Sequence, residues 1–113
     1  MAVGEAIFHV NVTNEQGMEE ARGYWTGQNH ANIPSGQLIC SPVGWNRPWR
    51  WHLNPETARF AEATIEVCDG DPQAVESGCE NFGGGHFCPW SAEMVELRDC
   101  TEDPGCPPVP RTP

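Results

Sequence analysis

The first part of the chain carries apolar and polar positions in loose alternation. Residues 6–12 follow this pattern and are rich in β-branched side chains, which predicts a first strand. A second apolar run over 33–40 predicts a second strand, and residues 50–53 are expected to be extended. Residues 58–68 fit helical spacing as well as a strand, but their last five positions are β-like, which favours a strand. We interpret these segments as a small antiparallel sheet.

Other segments carry the start signals of helices. Asn14 suits the N-cap position, acidic residues follow it, and apolar residues recur at helical spacing, so a helix is predicted over 14–26. Asp71 precedes a proline that fits the first position of a short helix over 72–79. A serine is expected to cap a last element over 92–98. The sequence therefore predicts an α+β fold in which one or two helices pack on the sheet.

The size and the charge of the chain restrict its partners. The 113 residues suffice for one domain, which we place at 1–99, followed by a proline-rich tail at 100–113. Sixteen acidic residues oppose six arginines, and the net charge of −10 repels the phosphates of nucleic acids. No apolar run approaches the roughly 18 residues of a membrane span. We therefore expect neither a nucleic acid partner nor a membrane span.

Six cysteines dominate the candidate chemistry, and their spacing differs from the paired hooks that hold zinc. A disulfide framework is the better interpretation, and it indicates a secreted, extracellular protein. Six cysteines allow fifteen pairings, so their spacing leaves the connectivity open. They are Cys40, Cys68, Cys79, Cys88, Cys100 and Cys106.

The sequence contains no complete catalytic constellation. The four histidines lack metalloprotease spacing, no serine lies in a nucleophile elbow, and oxidised cysteines do not act as nucleophiles. We expect a protein that is not an enzyme and needs no cofactor. Calcium is the one metal candidate, because Glu66, Asp69 and Asp71 surround a glycine turn and calcium prefers oxygen ligands. The alternative is a capped turn with solvated carboxylates.

Three fragments together resemble a known family. They are Trp51–Thr57, Ile65–Asp69 and Cys88–Ser91, in which tryptophan, cysteine and proline occur in a characteristic order. They are similar to the small N-terminal domain of certain calmodulin-binding proteins of social amoebae, a domain also found as stand-alone bacterial proteins. The resemblance implies that Cys68 pairs with Cys88. Calmodulin favours basic amphipathic helices, which this acidic chain lacks, so calmodulin binding is not expected.

A peptidase inhibitor is the function that we favour, with another protein as the partner. Such a protein would present a stiff loop at 42–49, in which Arg47 enters a specificity pocket and Pro48 resists cleavage. The tail offers a second candidate contact. The predicted partner-binding residues are Pro42, Val43, Trp45, Asn46, Arg47, Trp49 and Arg111.

A carbohydrate-binding module is the alternative. Exposed tryptophans stack on the faces of sugars, and Trp45, Trp49 and Trp90 are the candidates, with Asn46 supplying hydrogen bonds. The same tryptophans stand beside prolines and cysteines, where core positions are common. Their exposure therefore decides between a glycan surface and a packed loop.

Overall fold

One strand of seven residues organises the main sheet of the computed structural model, which describes residues 1–101 and 104–111. The model confirms an α+β fold with two helices, two small antiparallel sheets and three disulfides. In chain order the elements are β1 (Ala2–Val3), β2 (Ala6–Ile7), α1 (Glu15–Trp25), β3 (Ile33–Ile39), β4 (His52–Leu53), β5 (Arg59–Ala61), α2 (Pro72–Gly78) and β6 (His86–Phe87).

The central strand β3 pairs antiparallel with three short strands. Its first half faces β5, its last two residues face β4, and its middle faces β6. The registers are Pro34 opposite Phe60, Leu38 opposite Leu53, and Gly36 opposite Phe87. The strands β1 and β2 form a separate two-stranded hairpin. The prediction of a strand over 33–40 is therefore confirmed, and this strand is the hub of the sheet.

Helix α1 begins where its capping signals predict. The Asn14 side chain accepts a hydrogen bond from the Gly17 backbone N–H (2.7 Å) and donates one to the Ala58 carbonyl (2.8 Å). A Cβ atom at Gly17 would collide with that same carbonyl, so glycine permits the close approach of helix and chain. Ala21 and Trp25 follow at intervals of four residues on the buried face. One asparagine thus both starts the helix and docks it.

Two groups of buried side chains form the core. The first is aromatic: the Trp51 ring lies 5.7 Å from Phe8 and 5.3 Å from Phe87, and all three are fully buried. Leu38, Leu53 and Val75 complete this group. The second group lies under α1 and consists of Ala21, Trp25, Ala31, Phe60 and Met94. The two groups account for the packing of both helices.

Replacing Glu20 by glutamine is expected to lower the free energy of unfolding at pH 7 by about 0.5–1 kcal/mol. The Glu20 carboxylate accepts two hydrogen bonds from Arg59 (2.7 and 2.8 Å), which hold its pKa below the ordinary value of 4.5. Because the folded-state pKa is depressed, this stabilisation is present above the unfolded-state pKa and is lost as pH falls through the folded-state pKa. Urea denaturation at pH 7 and in acid measures it.

The matched control for this prediction is Glu19→Gln, which removes the same charge from the same helix. Glu19 is exposed, and no hydrogen bond joins its carboxylate to another part of the described chain. We expect almost no loss of stability in this variant at either pH. Equal losses in the Glu19 and Glu20 variants would contradict the role given to the Arg59 contact.

Two predicted strands are shorter than expected. The first, over 6–12, ends at Ile7, because the backbone N–H of His9 is bonded to a side chain and that of Thr13 to the turn carbonyl of Pro55. The strand over 58–68 ends at Ala61. Residues 66–68 form a 3-10 turn instead, and Ile65 and Val67 are both exposed to solvent there. Their β-like composition was misleading because neither side chain is buried.

The predicted last element over 92–98 is wrong as a helix. The Ala92 N–H closes a turn onto Pro89, and Glu93 exchanges two backbone hydrogen bonds of 2.8 Å with Ala2. The tail does not leave the surface: Val109 donates to the Leu97 carbonyl and accepts a hydrogen bond from the Trp25 indole (2.7 Å). The predicted tail residues 102–103 and 112–113 lie outside the described part of the chain.

All six cysteines form disulfides. Cys68 pairs with Cys88, which confirms the pairing implied by the family resemblance. The other bonds are Cys40–Cys79 and Cys100–Cys106. Three disulfides in a domain of this size are compatible with an extracellular location. Within residues 1–101 and 104–111, no helix combines the length and the hydropathy that crossing a membrane requires.

Candidate functional site

The segment from Pro42 to Trp49, here called the proline-tryptophan loop, protrudes between β3 and β4. It follows Cys40, whose disulfide ties the start of the loop to the end of α2. Pro42, Arg47 and Pro48 are exposed, whereas the three side chains that anchor the loop are partly or fully buried. The loop therefore has an exposed rim and a buried base.

The base of the loop is held by Asn46, which is completely buried. Its side-chain oxygen accepts a hydrogen bond from the His9 N–H (2.7 Å), and its side-chain nitrogen donates to the Trp51 carbonyl (2.8 Å). Both polar groups of the amide are thus used inside the protein. The expectation that Asn46 contacts a partner or a sugar is corrected here, because burial removes it from the surface.

The tryptophans of the loop also face inward. The Trp49 indole donates to the Ile7 carbonyl (2.7 Å), and its ring lies 5.9 Å from that of Trp51. Trp45 packs edge-on against His52 at 5.5 Å, and a His52 ring nitrogen lies 2.9 Å from the Ser41 carbonyl oxygen. These rings brace the loop from both sides. They are half-buried supports rather than an open stacking face.

Arg47 differs from the other arginines in having no partner. In the described part of the chain it has neither an ion pair nor an aromatic ring beneath it, and its backbone is extended (φ −68°, ψ 147°). The other five are engaged: Arg22 with Asp99, Arg50 with Glu76, Arg59 with Glu20, Arg98 with Glu96, and Arg111 over the Trp25 ring at 4.5 Å. An unpaired cation on a braced loop is suited to a negatively charged partner group.

The second predicted contact, Arg111, lies on a different type of surface. Its guanidinium stacks on Trp25, the same residue whose indole bonds the backbone of the tail. The side chain remains exposed but already has a partner. Its stacking fixes the tail on α1, and this makes it a weaker candidate than Arg47 for a binding contact.

The acidic turn has structural uses that the sequence did not reveal. One Asp69 oxygen accepts hydrogen bonds from the backbone N–H groups of Gly70 (2.9 Å) and Trp90 (2.7 Å). Asp71 caps α2 by accepting from Ala74 (2.8 Å). Glu66 lies in the preceding 3-10 turn. Across residues 1–101 and 104–111, no three histidine, cysteine or acidic side chains form a group that could hold a metal ion. Calcium binding stays an untested prediction.

A cleft of about 480 Å³ was missed by the sequence reasoning, apart from Trp90. It lies where the end of α1, the segment before β3 and the turn after Cys88 meet. It is lined by Tyr24, His30, Asn32, Trp90, Ser91, Ala92 and Glu93. These residues are scattered over three distant parts of the chain, so no local spacing signals them. Only the exposure of Trp90 relates to an earlier expectation.

Residues 2–101 match the family model of the N-terminal domain of a calmodulin-binding protein family. This is the family that the fragments around Trp51, Cys68 and Cys88 resemble, and the match extends over nearly the whole chain. Neither a curated protein nor a solved structure matches the chain. The comparisons therefore establish the family and leave the function to be argued from the site.

Proposed function

We propose that this chain, which belongs to the family of calmodulin-binding-protein N-terminal domains, is a secreted protein-binding module that inhibits a peptidase through its proline-tryptophan loop. The observation that carries the proposal is Arg47, an exposed arginine without a partner among the described residues, on a loop braced from beneath. The proposed role requires binding without turnover.

The construction of the loop supports tight binding. A ligand loop loses conformational freedom when it is bound, and one that is already fixed loses less. Here the buried Asn46 amide, the Trp49 indole bond and the Cys40–Cys79 disulfide hold the backbone on both sides of Arg47. The loop can therefore present its arginine at a small entropic cost.

The chemistry of Arg47 selects a class of target. Serine peptidases that cleave after basic residues have a carboxylate at the base of their specificity pocket. An extended arginine followed by proline offers that pocket a cation, while Pro48 replaces the ordinary N–H on the leaving side of the bond. The remaining acidic surface of the chain would favour a target with basic surroundings.

The test is an inhibition screen of the oxidised protein against serine, cysteine and metallopeptidases. We expect stoichiometric inhibition of an arginine-specific serine peptidase, weakened about thirtyfold or more in Arg47→Ala, as for a hot-spot residue worth about 2 kcal/mol. Arg50→Ala is the matched control, because Arg50 is also exposed but is paired with Glu76. It should inhibit as well as the unchanged protein.

Two outcomes would decide against this assignment. If no peptidase is inhibited, the proposed function fails. If inhibition survives Arg47→Ala but is lost on truncation after Cys106, the contact is the tail around Arg111 rather than the proline-tryptophan loop. Circular dichroism of each variant confirms that the fold is intact.

A further inference from the structure

The cleft beside Trp90, here called the aromatic cleft, combines two aromatic rings with polar side chains. Trp90 is one of the few large apolar side chains left at the surface, at 36% exposure. Tyr24 contributes a second ring from the last turn of α1. The volume of about 480 Å³ lies within the roughly 300–1,000 Å³ of small-ligand sites.

The polar groups that line the aromatic cleft are not used elsewhere in the protein. In the described residues, no hydrogen bond joins the side chains of His30, Asn32 or Glu93 to another group, and the same holds for the Tyr24 hydroxyl and the Trp90 indole nitrogen. This contrasts with the tryptophans beside the proline-tryptophan loop, since the Trp49 indole already donates to a carbonyl. Donors and acceptors are therefore available to a ligand.

The backbone around the aromatic cleft is fixed by long-range contacts. The Trp90 N–H donates to Asp69, and the preceding Cys88 is bonded to Cys68. Glu93 is paired with Ala2 through two hydrogen bonds. On the other wall, the Asn29 side chain accepts from Ala31 and donates to the Glu20 carbonyl, which ties the segment before β3 to α1. The lining side chains therefore stand on a preorganised platform.

We propose that the aromatic cleft binds a neutral saccharide. The apolar face of a sugar ring would stack on Trp90, while Asn32, Glu93 and His30 would exchange hydrogen bonds with its hydroxyls. The chemistry argues against an anionic ligand, because the lining contains a carboxylate and no arginine in a protein of charge −10. This proposal is independent of the peptidase and of Arg47.

The test is calorimetric titration of the oxidised protein with cellohexaose, chitohexaose, maltohexaose and laminarihexaose, and separately with choline chloride. We expect at least one hexasaccharide to bind with a Kd in the millimolar range or tighter. Trp90→Ala is expected to weaken it about tenfold or more, equivalent to about 1.4 kcal/mol. The control is Val67→Ala, since Val67 is another exposed apolar side chain that lies outside the cleft lining.

Further variants separate recognition from support. Asn32→Ala removes an amide with no partner among the described residues, so it should weaken saccharide binding without altering the thermal midpoint. Arg47→Ala should bind saccharides normally, and Trp90→Ala should inhibit peptidases normally. Absence of binding for all four saccharides, or unchanged affinity in Trp90→Ala, would overturn the proposal. Binding of choline in place of the saccharides would overturn the ligand class.

Discussion

Replacing Cys40 and Cys79 together by alanine is expected to lower the free energy of unfolding by about 4 kcal/mol. The bond joins residues separated by 39 positions, and in the chain-entropy account the stabilisation grows with the length of the closed loop. Cys40 is exposed and Cys79 half-buried, so little packing is lost with the sulfurs. Urea denaturation under oxidising conditions measures the change, because the midpoint should shift while the slope reports on the denatured state.

The matched control for the long disulfide is the short one. Cys100 and Cys106 are separated by only six positions, and their joint replacement by alanine is expected to cost about 2 kcal/mol. Both variants lose one disulfide and two sulfur atoms, so the comparison isolates loop length. Equal losses, or a greater loss for the short disulfide, would show that closure entropy is not the main contribution of the Cys40–Cys79 bond.

Replacing Asn46 by alanine is expected to destabilise the fold by about 3 kcal/mol. The change removes two hydrogen bonds at once and leaves the His9 N–H and the buried Trp51 carbonyl without this partner. Because each unsatisfied buried group costs about 1–3 kcal/mol, the loss should exceed that of an ordinary surface substitution. Thermal and urea denaturation give the free energy.

Two further variants sharpen the Asn46 prediction. Asn81→Ala removes the same side chain from an exposed position and should change stability by less than about 0.5 kcal/mol. Asn46→Asp keeps an acceptor for His9 but loses the donor to Trp51 and buries a charge, so it should not restore stability at pH 7. If Asn46→Ala is as stable as the unchanged protein, the amide does not hold the base of the loop.

The parts of the fold that could be predicted are those set by neighbouring residues. Asn14 and the acidic turn after it determine the start of α1, and Asp71 with Pro72 determine the start of α2. The apolar run of β3 was also clear, because a strand bonded along both halves buries most of its side chains. Such signals lie within a few positions of the element that they specify.

The parts that could not be predicted depend on contacts between distant residues. The sequence places Asn46 in a loop of exposed character, but only the fold brings His9 to its side-chain oxygen and thereby buries it. Asp69 has the composition of a metal ligand, yet its oxygen supports Trp90 from 21 positions away. The aromatic cleft joins residues near 24, 30 and 90, a juxtaposition with no local signature.

The arrangement of β3 has a consequence for the synthesis of the protein. Its partners β4, β5 and β6 all follow it in the chain, and Gly36 meets Phe87 only after residue 87 has been made. Cys40 and Cys68 likewise wait for partners at 79 and 88. Since non-local pairings form slowly and leave strand edges open meanwhile, a nascent chain that stops short of residue 87 has an incomplete sheet and unpaired thiols. Ribosome-bound chains of increasing length should therefore acquire the fold in one late step.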